Sequence, residues 1–255
     1  RESQIQLGLE RVRAKAMAMQ NSEELNELIG SVFSELTKLD FVLTRCLIMI
    51  FDPETKASRW WMANSEAPAE PMNYLVQNHK NPAYDAYLKA WKERNLRWNY
   101  ALKGKVKRDW DDFLFVDTEL AQLPAPVIAG MKAPEQVLLS ASFNNFGCLT
   151  LVSLEPLSDE HSDIMLRFAK VFDMCYTRFN DLKQAEEQAR ESQIQLALER
   201  VRARTMAMQK SEELHEFIQL VFDQLQQLNF DIDVANFALN YKETDDFEMV
   251  LAVPH

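Results

Sequence analysis

Glycine is scarce: five residues in a chain of 255, where average usage of about 7% would supply roughly eighteen. They stand far apart, at Gly8, Gly30, Gly104, Gly130 and Gly147. Phosphate-cradling loops need clustered glycines so that backbone can approach phosphate closely. The dinucleotide fingerprint and the Walker A loop are therefore excluded. Cysteine is sparse too, with Cys46, Cys148 and Cys175 far apart and no C-x-x-C pair. An odd, dispersed set fits buried, inert thiols in a reducing compartment. Positive charge is short. The formal net charge is −11, a balance that repels phosphate backbones and argues against nucleic-acid binding. No apolar run approaches the ~18–20 residues of a membrane span, and no signal peptide is visible. The first residue is Arg1 rather than Met, as expected for a piece of a longer protein.

What the chain does have is a long internal repeat. Residues 1–41 read RESQIQLGLERVRAKAMAMQNSEELNELIGSVFSELTKLDF, and residues 190–230 read RESQIQLALERVRARTMAMQKSEELHEFIQLVFDQLQQLNF. Aligned without gaps at an offset of 189, 28 of 41 positions are identical. That offset is too long for a solenoid repeat and suits a helical linker plus one globular domain. Beyond Phe41 and Phe230 identity collapses while the pattern persists. The expected organisation is a coiled-coil connector at 1–20, a sensor-like domain at 21–180, a second connector at 181–209, and the opening of a second domain at 210–255.

Each connector carries a heptad seam. In the first copy it comprises Ile5, Leu9, Val12, Ala16 and Met19. In the second it comprises Ile194, Leu198, Val201, Thr205 and Met208. No glycine or proline interrupts residues 158–208, so one helix of about fifty residues is expected there, about 75 Å long. Ser158 is its expected N-cap, with Asp159 and Glu160 in the first turn. Ile164, Phe168, Val171, Phe172, Cys175, Phe179 and Leu182 mark an apolar face. Two registers overlap on this helix. They fit either a handover from a domain-facing stripe to a partner-facing one, or a stutter that permits rotation. A helix of such length needs a partner, and a homodimer through Ile5, Leu9, Val12, Met19, Leu182, Ile194, Leu198, Val201 and Met208 is expected. After each seam a second helix, capped by Ser22 or Ser211, presents a broad stripe suited to a sheet. The stripe is Leu25, Leu28, Ile29, Val32, Phe33 and Leu36 in the first copy.

Between the connectors, strands are expected at 44–51, 58–63, 137–143 and 148–154, and a helix at 85–94. A tight hairpin is expected at Asn144-Asn145-Phe146-Gly147. The order predicts an α+β fold, an antiparallel sheet with flanking helices. The closing hairpin, followed by Glu155-Pro156-Leu157-Ser158-Asp159-Glu160 and the helix IMLRFAKVFDMCYTRF, resembles the end of a GAF domain. The segment ALERVRARTMAMQKSEEL resembles the connectors between sensor modules of bacterial multi-domain signalling proteins, often histidine kinases. The resemblance covers essentially the whole chain. It implies a cytoplasmic, dimeric, ligand-sensing module that passes a conformational signal along paired helices. It names no ligand. A bilin photoreceptor of that family would need a cysteine within 64–134, and none is there.

No catalytic constellation is visible. His79, His161, His215 and His255 lack a phosphoacceptor context and read as solvated. No spacing suggests zinc, no nucleophile elbow appears, and no cofactor is implied. Acidic neighbours such as Asp111-Asp112 and Glu186-Glu187 read as solvated pairs. Two features remain. Trp60, Trp61, Trp91, Trp98, Tyr100 and Trp110 form either a ligand pocket or a packed core. Lys89, Lys92, Arg94, Arg97, Lys103, Lys105, Lys107 and Arg108 form a basic cluster in an acidic chain. With Lys103, Lys105 and Lys107 on one face of a strand, the cluster fits either an anionic ligand or partner, or a solvated hairpin tip. The expected function is ligand sensing and signal relay, with a ligand-free structural spacer as the rival and an enzyme fragment third.

Overall fold

The computed structural model describes residues 1–21, 24–39, 45–64, 67–210, 213–239 and 248–253. The expected caps Ser22 and Ser211, the expected strand start Thr44, and His255 lie outside the described residues. The chain divides into two compact units, Arg1–Lys183 and Gln184–His255.

The first unit is α+β. Its elements run α1 (Glu2–Ala18), α2 (Leu25–Thr37), β1 (Arg45–Phe51), β2 (Ser58–Asn64), β3 (Ala67–Val76), α3 (Pro82–Lys92), β4 (Trp98–Lys103), α4 (Gly104–Val116), a 3-10 turn (Glu119–Gln122), α5 (Ala125–Lys132), β5 (Gln136–Phe143) and β6 (Gly147–Ser153). The sheet has six strands in the order β3-β2-β1-β6-β5-β4, and every pairing is antiparallel. The helix α6 (Asp159–Ala207) begins in this unit and continues into the second as one uninterrupted element. The Ser158 hydroxyl accepts from the His161 amide at 3.2 Å, capping α6 as expected.

Strand alternation sends successive side chains to opposite faces of the sheet. Leu47, Met49 and Phe51 of β1, with Trp60 and Met62 of β2, enter the cluster beneath α3, α4 and α5. Ile48 and Trp61, with Leu149 and Leu151 of β6, enter the cluster beneath α1, α2 and the first half of α6. The broad stripe of α2 (Leu28, Ile29, Val32, Phe33 and Leu36) packs there as its pattern predicts.

Position Gly147 requires glycine for space: a Cβ there would lie 1.8 Å from the Met49 carbonyl oxygen of the paired strand. The turn itself is held by Asn144, whose Oδ1 accepts from the Phe146 and Gly147 amides at 3.0 and 2.8 Å. Gly104, at φ +56°, lets the chain pass from β4 directly into α4.

Two expectations are corrected here. Ile5, Leu9, Val12 and Met19, and Leu182 further on, were expected to face a second chain. The first four, with Ala16, are buried against α2 and α6 within their own unit, and Leu182 packs on the same cluster. Polar contacts secure this arrangement: Arg167 pairs with Glu2 at 2.9 Å, and Arg1 with Glu160 at 3.1 Å. Lys103, Lys105 and Lys107 would share one face if the segment 103–107 were a strand. It leaves β4 at Lys103 and turns helical, so Lys105 and Lys107 lie on α4.

The second unit comprises the end of α6, α7 (Leu214–Gln227), β7 (Ala235–Leu239) and β8 (Glu248–Ala252), with β7 and β8 antiparallel. Its core is small: Ile218, Phe222 and Ala252 are buried, with Leu214, Phe217, Ile232 and others packed around them. The repeat reappears as matched contacts between helices. Arg11 reaches Glu35 at 3.4 Å and Lys15 reaches Glu27 at 2.5 Å. In the second copy Arg200 donates to Gln224 at 3.2 Å and Arg204 pairs with Glu216. The repeated sequence thus encodes a helical hairpin. Its seam is open in the second copy, where Leu198 is 43% exposed and Ile194, Val201 and Met208 are half-buried.

Candidate functional site

The first unit holds a cavity of about 70 Å³ between the sheet and the helices α4 and α5. At roughly 10–15 Å³ per water on this measure, it has room for about five waters or a small organic molecule. Its walls are mainly apolar: Leu47, Met49, Trp60, Trp110, Leu139 and Val152 among others. β1, β2, β5 and β6 supply the floor by alternation, and α4 supplies Trp110 and Leu114 one turn apart.

Of the six aromatic residues expected to share one pocket, Trp60 and Trp110 do so, stacked with centroids 5.9 Å apart. Tyr87 of α3 joins them, 6.1 Å from Trp110. Trp61 does not. It neighbours Trp60 on one strand, so it points to the opposite face, where its Nε1 donates to Asn26 at 3.1 Å. Trp98 and Tyr100 stack on each other at 5.5 Å and flank the same core without lining the cavity. Trp91 faces a separate groove at the end of β1, stacked on Phe51 at 5.0 Å.

Several polar groups in the walls lie outside the expected set. Arg45, the first residue of β1, lines the cavity half-buried. Loss of water lowers its pKa, because burial disfavours the charged guanidinium. Among the described residues no hydrogen bond or ion pair meets it. Lys107 and Asp111, one turn apart on α4, form a buried ion pair, and Lys107 also donates to the Met131 carbonyl at 3.2 Å. This corrects the reading of Asp111 as solvated. Asp112 beside it is exposed, 3.9 Å from Lys132. The Tyr87 hydroxyl is buried beside Thr150 and Cys148 without a hydrogen bond of regular geometry. Burial holds its pKa well above the usual tyrosine value.

A directional chain of hydrogen bonds leaves the cavity. Trp60 Nε1 donates to Ser58 at 2.7 Å, and Ser58 lies 2.8 Å from the Tyr84 hydroxyl, which donates to the Lys56 carbonyl at 2.9 Å. The basic cluster of the sequence is broken up. Arg97 pairs with Asp163, Lys105 with Asp109 and Lys107 with Asp111. Lys89, Lys92 and Arg94 gather instead around Trp91.

The histidines do not converge. His79 sits edge-on to Phe113 at 6.0 Å, and His161 is 3.2 Å from Arg1. Among the described residues no group of three or more His, Cys, Asp or Glu side chains could hold a metal. No described helix is long and apolar enough to cross a membrane. Burial pushes the Cys148 and Cys175 thiols up to about 12, and raises that of Cys46 as well. Thiolate chemistry at neutral pH is correspondingly suppressed.

No family model matches the chain, and no curated protein matches it. Among solved structures, a bacteriophytochrome from the photosynthetic bacterium R. palustris is similar, with 9% identity and a TM-score of 0.45. The match covers 99% of this chain and 49% of that one, so the chain spans about half the length of that structure.

Proposed function

We propose that the first unit is a GAF-type sensory module whose cavity binds a small, largely apolar ligand carrying a negative charge. The observation that carries this is Arg45: a half-buried guanidinium, without a partner among the described residues, in the wall of an apolar cavity. A buried charge is costly until something pairs with it, and a ligand carboxylate would do so bidentately. Occupation would bias the position of α4 and α5 against the sheet. The change would pass along α6 to a second chain docked on the open seam at Ile194, Leu198, Val201 and Met208. The connector's resemblance suits a cytoplasmic homodimer feeding a histidine kinase.

The tight stack of Trp60, Trp110 and Tyr87 favours the rival reading, a ligand-free spacer that dimerises. Native mass spectrometry of the purified chain, with a thermal-shift panel of short-chain and aromatic carboxylates, separates the two. A hundredfold excess over Kd stabilises by ~2.7 kcal/mol, about 5–10 °C for a unit of this size. Arg45→Met should keep the fold and abolish that shift. A protein-only mass together with no shift across the panel would sink the sensory reading and leave the spacer.

A further inference from the structure

A second concavity of the first unit, an open groove of about 820 Å³, lies where the end of β1, the β1–β2 turn, the end of α3 and the β5–β6 hairpin meet. That volume falls within the range of small-molecule sites, ~300–1,000 Å³. Phe51, Trp91 and Phe146 give it apolar walls, and Lys56, Lys89, Lys92 and Arg94 supply four cations. No aspartate or glutamate lines it, although the chain as a whole carries −11. Lys89 and Lys92 have no ion pair among the described residues. The charge of the lining is therefore opposite in sign to the molecule's and lies over a ring-lined surface, with the Asp52 carboxylate close enough for Lys56 to help lower its pKa.

Backbone geometry at the end of α3 and in the β1–β2 turn places two of these cations. Three described non-glycine residues have positive φ: Lys56 at 61°, Arg94 at 52° and Asn229 at 60°. Two of them are groove cations. This left-handed conformation is strained for side chains with a Cβ and open to glycine. Arg94 adopts it at the αL position that closes α3, where the Asn95 amide bonds the Ala90 carbonyl at 3.0 Å, and Lys56 adopts it in the β1–β2 turn, its amide bonded to the Asp52 carbonyl at 3.1 Å. Here it brings both cations to one indole, with the Arg94 guanidinium 5.5 Å and the Lys56 ammonium 6.0 Å from the Trp91 ring centre. The indole is fixed by its stack on Phe51 and by donation to the Asn145 carbonyl at 3.2 Å. The Lys56 carbonyl is fixed by the Tyr84 hydroxyl at 2.9 Å.

We propose that this groove binds a small aromatic anion, a ring compound bearing a phosphate or carboxylate group. The ring rests on the Phe51–Trp91–Phe146 surface, and Lys56, Lys89, Lys92 and Arg94 meet the charge. Four solvent-exposed cations with no carboxylate in the lining favour an anion, and the aromatic floor selects among anions in favour of one with a flat apolar body.

Isothermal titration of the whole chain with 1-naphthyl phosphate, 1-naphthol, inorganic phosphate and an acidic tyrosine-containing peptide tests this. The naphthyl phosphate should bind at least about tenfold tighter than the naphthol or the phosphate, and less tightly as salt is raised. The double variant K56G/R94G removes two cations and relieves both strained positions. It should bind at least about tenfold more weakly while its thermal midpoint stays level or rises. Lys103→Gln, an exposed cation outside the groove, should leave binding unchanged. The proposal is overturned by absent binding, by equal affinity for phosphate and naphthyl phosphate, by binding of the peptide alone, or by full affinity in the glycine variant.

Discussion

Lys107 and Asp111 illustrate how much depends on the element a residue occupies. Both side chains are almost wholly removed from solvent, and each is the other's counter-ion. Replacing Lys107 with Met leaves a carboxylate in an apolar wall without its cation, which costs ~3–5 kcal/mol. Replacing both, as K107M/D111L, removes the charge as well as its partner. It should recover most of that loss, since well-packed apolar pairs match buried ion pairs in stability. Urea unfolding of the two variants reads the difference. A double variant no more stable than the single one would show that the pair does more than satisfy itself. Neither role was legible in the sequence. A lysine four residues before an aspartate reads equally as a solvated pair, and only the turn from β4 into α4 at Gly104 carries Lys107 inward. Trp60 and Trp61 were half legible: strand alternation already separates them, and grouping both into one pocket ignored that period.

At the scale of elements, the repeat offers a comparison within one molecule. Leu9 and Leu198 occupy the same repeat position, yet Leu9 is 2% exposed and Leu198 is 43% exposed. Leu9→Ala should therefore cost ~2–4 kcal/mol, the usual range for a buried leucine. Leu198→Ala should cost less than about 1 kcal/mol in the isolated chain. If the second seam carries a dimer, Leu198→Ala acts on association instead, and sedimentation equilibrium will show a shift toward monomer that Leu9→Ala does not produce. The helices α2, α6 and α7 and the strands β1, β2, β5 and β6 were legible because each has a strong period or a recognisable cap. β3 and β4 were not. They are the two edges of the sheet. β3 carries Pro68 and Pro71, which an edge strand tolerates because one side needs no ladder. β4 is six residues long, with Trp98, Tyr100 and Leu102 alternating toward the core among polar neighbours. The seam was legible as a stripe but not as to its partner, because a heptad pattern is satisfied equally by a second chain or by α2 and α6 of the same one.

For the whole molecule, the two units differ in chemistry as well as in size, and alkaline pH should separate them. Burial raises the pKa of Cys148 and Cys175 from 9.0 to about 12, and that of Tyr84 and Tyr176 from 10.0 to about 12. Tyr87 is shifted further the same way. All five lie in the first unit, and no described residue of the second carries such a shift. An acid whose pKa rises on folding holds its proton longer when folded than when unfolded. Between pH 9 and 12 the folded state therefore binds more protons, and stability falls as pH rises. The contribution is complete below about pH 9 and gone once pH passes the folded value near 12. The described residues of the second unit feel the general self-repulsion of an increasingly negative chain, which acts on both units. Urea unfolding followed by hydrogen exchange, resolved to peptides from each unit, should show the first unit's midpoint dropping more steeply over this window. Parallel midpoints in the two units from pH 9 to 12 would mean that these thiols and phenols reach solvent in the folded protein.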